Sequence, residues 1–110
     1  MQVTINDLNQ RISFAEERYL EDEYGTPIGR EYVVFANAWA HVANLHGDEY
    51  YTALGLSLQK ELKFTIRYRD DISEETAIEF RGNIYNITFI DNIRYRNRFM
   101  ELRASLRSGR

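Results

Sequence analysis

The chain has 110 residues, of which 44% are hydrophobic and 28% are charged, and it contains no cysteine. This length and composition predict one globular domain spanning 1–110, and they exclude disulfide bonds and thiolate chemistry. No apolar run reaches the ~20 residues that a membrane-spanning helix needs. The first ten residues, "MQVTINDLNQ", lack the basic and apolar parts of a secretory signal. We therefore expect no membrane partner, and the composition fits a cytoplasmic origin.

Charge is distributed unevenly along the chain. Residues 1–50 hold nine acids and three bases, a net charge of −6, whereas residues 51–110 hold eight acids and eleven bases, a net charge of +3. A basic second half is compatible with nucleic-acid binding. Opposite charge on two parts of one chain is equally compatible with head-to-tail contacts between copies, which make rings when they close.

The first half of the chain predicts two strands joined by an acidic loop. Ile12 and Phe14 alternate with polar neighbours in "LNQRISFAEERY", which is typical of a strand. The segment "EDEYGTPIGRE", residues 21–31, contains the turn formers Gly25, Pro27 and Gly29. We expect it to be an exposed hairpin loop with three adjacent acids, Glu21, Asp22 and Glu23.

The second predicted strand, "YVVFANAWAHVANL", is apolar on both faces. One face carries Val34, Ala36, Ala38, Ala40 and Val42, and the other carries Phe35, Trp39, Ala43 and Leu45. A strand without a polar face is expected to be covered on both sides, by a helix or a neighbouring subunit. The next segment, "DEYYTALGLSLQ", residues 48–59, predicts a short helix with Asp48 as its N-cap.

The second half of the chain predicts further strands. In "LKFTIRYRDDI", Leu62, Phe64, Ile66 and Tyr68 alternate with basic or polar residues, which indicates a core face and places Arg67 and Arg69 outside as partners of Asp70, Asp71 or a neighbouring subunit. A hairpin over 77–91 turns at Arg81-Gly82-Asn83, and "NIRYRNR" is a basic connection to a last strand, "FMELRASL". The predicted fold is mainly β: an antiparallel barrel of about six strands with one short helix and long loops.

Residues with catalytic or metal-binding chemistry are sparse. His41 and His46 would lie on opposite faces of a strand, without the cysteines or carboxylates that would complete a metal site. No glycine-rich phosphate loop is present, and Glu21, Asp22 and Glu23 are interpreted as a solvated surface. We therefore predict no catalytic residue, no cofactor and no metal, and we do not expect an enzyme.

A nucleic-acid-binding barrel of the OB or SH3-like type is the alternative reading. Arg67-Tyr68-Arg69 and Arg94-Tyr95-Arg96 place tyrosines between arginines, which suits stacking on bases and pairing with phosphates. Strand geometry, however, points Tyr68 towards the core.

The order of motifs resembles the head–tail joining proteins of long-tailed phages and prophages, which include head-tail adaptor and head closure proteins. The matching segments follow Leu8 in the family's order and cover roughly residues 7–106: "RISF", "DEYGTP", "WAHV", "GDEYYTA", "FTIRYRDDI", "IEFRGNIYNITFID" and "MELRAS". The most specific part is Gly47-x-Glu49-Tyr50 between Trp39-Ala40-x-Val42 and Ile66-Arg67-Tyr68. The Arg-rich connection "NIRYRNR" departs from the family pattern.

This resemblance implies a structural virion protein at the head–tail interface that assembles in the host bacterial cytoplasm. It implies a ring of copies between portal or adaptor proteins and tail proteins, with packaged double-stranded DNA passing through it, and a chain that is monomeric or weakly associated alone. It implies no enzymatic activity and no cofactor. A tail-completion or tail-terminator protein is a further alternative. Asn44–Gln59 is expected to line or gate the DNA channel. The candidate interaction residues are Glu21, Asp22, Glu23, Gly47, Asp48, Glu49, Tyr50, Arg94, Arg96 and Arg98.

Overall fold

Alternating apolar side chains build six strands in the part of the chain that the structure describes, residues 7–45 and 61–107 of a computed structural model. A short 3-10 helix, Ile93–Tyr95, lies between the last two strands. The strands in chain order are β1 (Gln10–Glu21), β2 (Pro27–Asn44), β3 (Glu61–Arg67), β4 (Ala77–Phe80), β5 (Asn83–Asn92) and β6 (Phe99–Leu106).

These strands close into an antiparallel barrel in the order β1-β2-β3-β6-β5-β4. Closure depends on β4, whose residues Ala77 to Glu79 pair with Ala15 to Ser13 of β1. A closed sheet leaves no edge along its barrel section, which is how a chain of this size protects its strands. The predicted fold class is therefore confirmed, whereas the predicted helix over 48–59 lies outside the described residues.

The barrel interior holds a single apolar core to which five of the strands contribute large side chains. Phe64 on β3 is fully buried and makes edge-to-face contacts with Phe80 at 5.7 Å and with Tyr85 at 5.8 Å between ring centroids. The predicted core faces of β3 and β6 are confirmed, since their alternate residues are buried and Tyr68 packs against the cluster. The buried core residues are Ile12, Phe14, Ala40, Leu62, Phe64, Ile66, Ile78, Phe80, Tyr85, Ile87, Met100, Leu102 and Ala104.

Beyond the barrel, β1 and β2 continue as a two-stranded arm formed by Glu16–Glu21 and Pro27–Val33. Its pairing runs from Glu16 with Val33 to Glu21 with Pro27. The hairpin loop predicted over 21–31 is therefore too long, because Pro27 to Glu31 belong to β2. Proline is compatible with the first position of a strand, where its missing N–H is tolerated, and Gly29, with φ of 150°, lies beside the register shift near the tip.

The inner face of β2 agrees with the sequence pattern, whereas its outer face does not. Ala36, Ala38, Ala40 and Val42 belong to or pack against the core. Val34 is 48% exposed because the register between β1 and β2 shifts after Phe14 and interrupts the alternation. The opposite face was expected to be covered, but Phe35 is 40% and Trp39 is 52% exposed in the structure.

We expect Phe64→Ala to lower the free energy of unfolding by about 3–5 kcal/mol, because it removes a fully buried ring and leaves a cavity. Phe89→Ala is the matched control, since Phe89 is a strand phenylalanine that is 45% exposed and should cost less than about 1.5 kcal/mol, including its contact with Arg103. Urea denaturation of both variants measures the difference. Equal losses would contradict the assignment of Phe64 to the centre of the core.

Candidate interaction surfaces at the arm and the barrel end

The turn at the tip of the arm, which we call the acidic tip (Glu21–Thr26), is held by one of its own carboxylates. Asp22 Oδ1 accepts hydrogen bonds from the backbone N–H groups of Tyr24 and Thr26, both at 2.9 Å. Gly25 adopts φ of 79°, a conformation that favours glycine. The predicted acidic residues therefore divide into two roles. Asp22 shapes the turn, whereas Glu21 and Glu23 are exposed and form no ion pair with any described residue.

Large apolar side chains accompany these acids on the arm. Tyr24 is 84% exposed, Tyr19 is 73% exposed and Ile28 is 64% exposed. A strand pattern alone did not identify them, because the sequence does not show that β1 and β2 extend beyond the barrel. Exposed apolar groups on a protruding ribbon are typical of a surface that contacts another protein.

The root of the arm is fixed to the barrel by Arg107. Its guanidinium donates to Asn86 Oδ1 at 2.6 Å and 3.1 Å, lies 5.0 Å from the Tyr32 ring centroid and is 3.7 Å from Glu17. Arg30 also bonds Glu17 at 2.7 Å. The arm is therefore cross-linked near the barrel, while its tip projects away from it.

The connection between β5 and β6, which we call the basic turn (Ile93–Arg98), presents the three arginines predicted as an interaction site. Arg94, Arg96 and Arg98 are exposed and form no ion pair with any described residue. Tyr95 between them is 90% exposed. The turn has a defined shape, because the Asn92 side chain bonds both the backbone N–H and the side chain of Asn97.

The backbone of the basic turn is strained. Arg94, Tyr95 and Asn97 all have φ between 54° and 57°, a left-handed conformation that is uncommon for residues other than glycine. No residue pattern in this segment predicted the left-handed conformation. Strain of this kind persists only where surrounding contacts impose it, and it is frequent at functional surfaces.

A cleft, which we call the fork cleft, opens where β2 and β3 separate. Their pairing ends at Ala40 with Ile66. From Ala40 towards its N-terminus β2 continues into the arm, whereas β3 continues to Arg67, which pairs with Phe99 of β6. The cleft has a volume of about 630 Å³. Arg67 is exposed at the cleft and has no ion pair among the described residues. The lining residues are Leu8, Asn9, Asn37, Ala38, Trp39, Arg67, Tyr68 and Arg69.

The acids after β3 engage one of the two arginines that the sequence placed outside the barrel. Arg69 forms a two-pronged ion pair with Asp71, with N–O distances of 3.0 Å and 2.8 Å. The hydrogen bond from Arg69 lowers the pKa of Asp71 and raises that of Arg69 itself. The predicted pairing is thus confirmed for Arg69, whereas Arg67, at the fork cleft, has no ion pair with a described residue.

Other predicted positions contribute no described site. Gly47, Asp48, Glu49 and Tyr50, and the channel segment Asn44–Gln59 after Leu45, lie outside the described residues. Within 7–45 and 61–107, no group of three or more histidine, aspartate or glutamate side chains could hold a metal ion. Among those same residues, no helix has the length and apolar character required to cross a membrane.

Comparisons with known proteins identify relatives of this barrel. The family model of phage head completion proteins matches residues 3–107. A protein of Shigella flexneri 2a, known from its solution structure, is 20% identical with a TM-score of 0.70, covering 98% of this chain and 100% of that one. A chain from the virion of a native gene transfer agent particle is 13% identical with a TM-score of 0.56, covering 91% and 96%. Among curated proteins, none matches the sequence significantly.

We expect Asp71→Asn to destabilise the fold by less than about 1 kcal/mol at neutral pH, because the ion pair is partly exposed. The folded-state pKa of Asp71 lies below the ordinary 3.8. The stabilisation is therefore present above that value and is lost as the pH falls through the lowered pKa. Urea denaturation at neutral pH and at successively lower pH should show the wild type and the variant converging under acid conditions.

Asp70→Asn is the control, because Asp70 makes no side-chain hydrogen bond to Arg69. At neutral pH it should change the free energy of unfolding by less than Asp71→Asn does. If Asp71→Asn showed the same stability difference from wild type at every pH, the ion pair would not be the source of that difference.

Proposed function

Because the chain belongs to the family of phage head completion proteins, we propose that it is a structural connector that joins the DNA-filled head to the tail. In this role it sits between portal or adaptor proteins and tail proteins, and helps to close the head and retain DNA. The observation that carries the proposal is that this member of the family is a barrel with two exposed surfaces of opposite charge. Such surfaces are suited to contacts with other proteins.

The proposed assembly is a ring of copies through which double-stranded DNA passes. The arm and the basic turn support it, since both project charged and aromatic side chains that the described part of the chain does not itself engage. Because these surfaces are covered only when neighbouring proteins contact them, we expect copies of the isolated chain to associate weakly and copies bound to the partner to associate strongly. The proposed location is the virion, after assembly in the host cytoplasm.

Binding of nucleic acid by the isolated barrel is the second candidate. The basic turn favours it, because Tyr95 is exposed between two arginines and could stack on a base. The outer surface of β3 does not favour nucleic-acid binding. Tyr68 packs against the core and Arg69 is engaged by Asp71, so a continuous stacking platform does not extend along that strand.

We expect the triple variant Arg94→Glu, Arg96→Glu, Arg98→Glu to fold normally and to fail in assembly. Reversal of three charges turns attraction into repulsion at the proposed contact. The affinity for the neighbouring protein should fall at least about tenfold, a loss of about 1.4 kcal/mol, and the yield of infective particles in a complementation assay should fall with it. Circular dichroism of the purified variant checks the fold.

Arg94→Glu and Arg81→Glu form a matched pair for the same assay. Both arginines lie in turns between strands and both have positive φ, 57° and 51°, but Arg81 is at the β4–β5 hairpin and bonds Gln10. Arg81→Glu should assemble like wild type. Unchanged particle yield with the triple variant would refute the electrostatic part of the proposal.

We expect the isolated chain to show no micromolar binding of single-stranded oligonucleotides at physiological salt. A fluorescence anisotropy titration at several salt concentrations measures this, because phosphate contacts give a steep salt dependence. Micromolar affinity that falls with salt and is lost in the triple variant would favour the nucleic-acid-binding alternative.

A further inference from the structure

The acidic tip and the fork cleft have matching chemistry on different parts of the same chain. We propose that the acidic tip of one subunit docks in the fork cleft of the next copy, against its basic turn. The inference rests on the ring in the proposed function and names the two surfaces that would meet in it. It joins the two groups of interaction residues, Glu21 to Glu23 and Arg94 to Arg98, in one contact.

The apolar parts of the two surfaces are complementary. Tyr24 in the tip and Ile28 beside it on β2 are largely exposed. In the fork cleft, Trp39 is half exposed, and Ala38 and Tyr68 line a predominantly apolar surface. Burial of exposed apolar area gives about 25 cal/mol per Å², so these side chains supply the favourable free energy of the contact.

The charges around the apolar groups are also complementary. Glu21 and Glu23 belong to the tip, and Arg67 lies at the cleft. None of the three is ion-paired to a described residue. Arg69 also lines the cleft, but it does not serve as a partner for the tip because it is already ion-paired with Asp71. Paired opposite charges at the edge of an apolar contact fix its orientation and exclude wrong partners.

The basic turn continues the positive edge of the fork cleft. Phe99 pairs with Arg67 in the β3–β6 ladder, and the backbone N–H of Tyr68 donates to the Arg98 carbonyl at 2.9 Å. The turn is therefore hydrogen-bonded to the segment that lines the cleft. An acidic tip placed in the cleft lies next to the turn as well.

A subunit cannot fill its own cleft with its own tip. Arg11, which pairs with Trp39, is ten residues from Glu21 along one continuous strand, which amounts to roughly 33 Å at ~3.3 Å per residue. β1 is paired with β2 over that length, so the arm does not fold back onto the cleft. The contact therefore joins two copies through two different surfaces, and such contacts generate rings or filaments.

Disulfide trapping tests the contact directly, because the chain contains no cysteine. Thr26→Cys reports the tip, and Asn9→Cys reports the cleft. Both residues are exposed, and neither substitution removes a side chain that the proposal uses. The two full-length proteins are mixed under mild oxidation, and the rate of heterodimer formation is followed on non-reducing gels.

Glu79→Cys on β4 is the matched control, because it is exposed and lies on a strand that is not adjacent to β2 or β3. We expect Thr26→Cys to couple to Asn9→Cys about tenfold faster than to Glu79→Cys, since docking raises the effective concentration of the two thiols. A chain carrying both Thr26→Cys and Asn9→Cys should form a ladder of covalent multimers. Equal coupling to the cleft and to β4 would overturn the proposal.

Charge exchange then tests the named residues. Arg67→Glu in the Asn9→Cys chain should reduce its coupling to Thr26→Cys, and Glu23→Arg in the Thr26→Cys chain should restore it. Ile28→Asp should slow coupling without rescue. If none of these substitutions altered the coupling rate, the proposed contact would be overturned. The particle-yield assay of the basic-turn variant tests the proposed function separately.

Discussion

The short pairing between β4 and β1 is the constraint on which the rest of the structure depends. Among the described residues of β1, only Ser13, Phe14 and Ala15 pair with β4. Similarly, β2 pairs with β3 only from Ala40 to Asn44. The barrel closes on these short ladders and buries its core. Glu16–Glu21 and Pro27–Val33 have only each other as strand partners among the described residues, and they form the arm.

An arm of this kind requires support, because a two-stranded ribbon is marginally stable in water. Arg107 supplies it at the C-terminal side of β6 by contacting Tyr32, Asn86 and Glu17. One side chain thus links the last strand, β5 and both strands of the arm. Barrel and arm are coupled there, while the tip beyond is left with exposed aromatic and acidic side chains that a neighbour can bury.

Strand periodicity predicted the parts of the fold in which side chains alternate against one core. It placed Leu62, Phe64 and Ile66 inside, as the structure shows. It also predicted the hairpin turn, which consists of Arg81 and Gly82, since Asn83 already pairs with Phe80 as the first residue of β5. It failed where geometry departs from simple alternation. Pro27 and Gly29, which predicted a turn, are strand residues beside a register shift. The left-handed backbone of the basic turn is not predicted by any residue pattern in that segment. The fork cleft joins segments distant in sequence, so only the folded chain reveals it.

The fold converts a charge difference along the sequence into a separation in space. Acids at the tip lie roughly 33 Å from the level of the cleft, far beyond the ~8 Å over which exposed charges interact at physiological ionic strength. The two groups therefore cannot neutralise each other within one subunit. Exposed ion pairs contribute about 0–1 kcal/mol each, so in the proposed contact the affinity between copies depends on Tyr24, Ile28 and Trp39. The charges in that contact determine which surface meets which, and the proposed ring therefore has a direction.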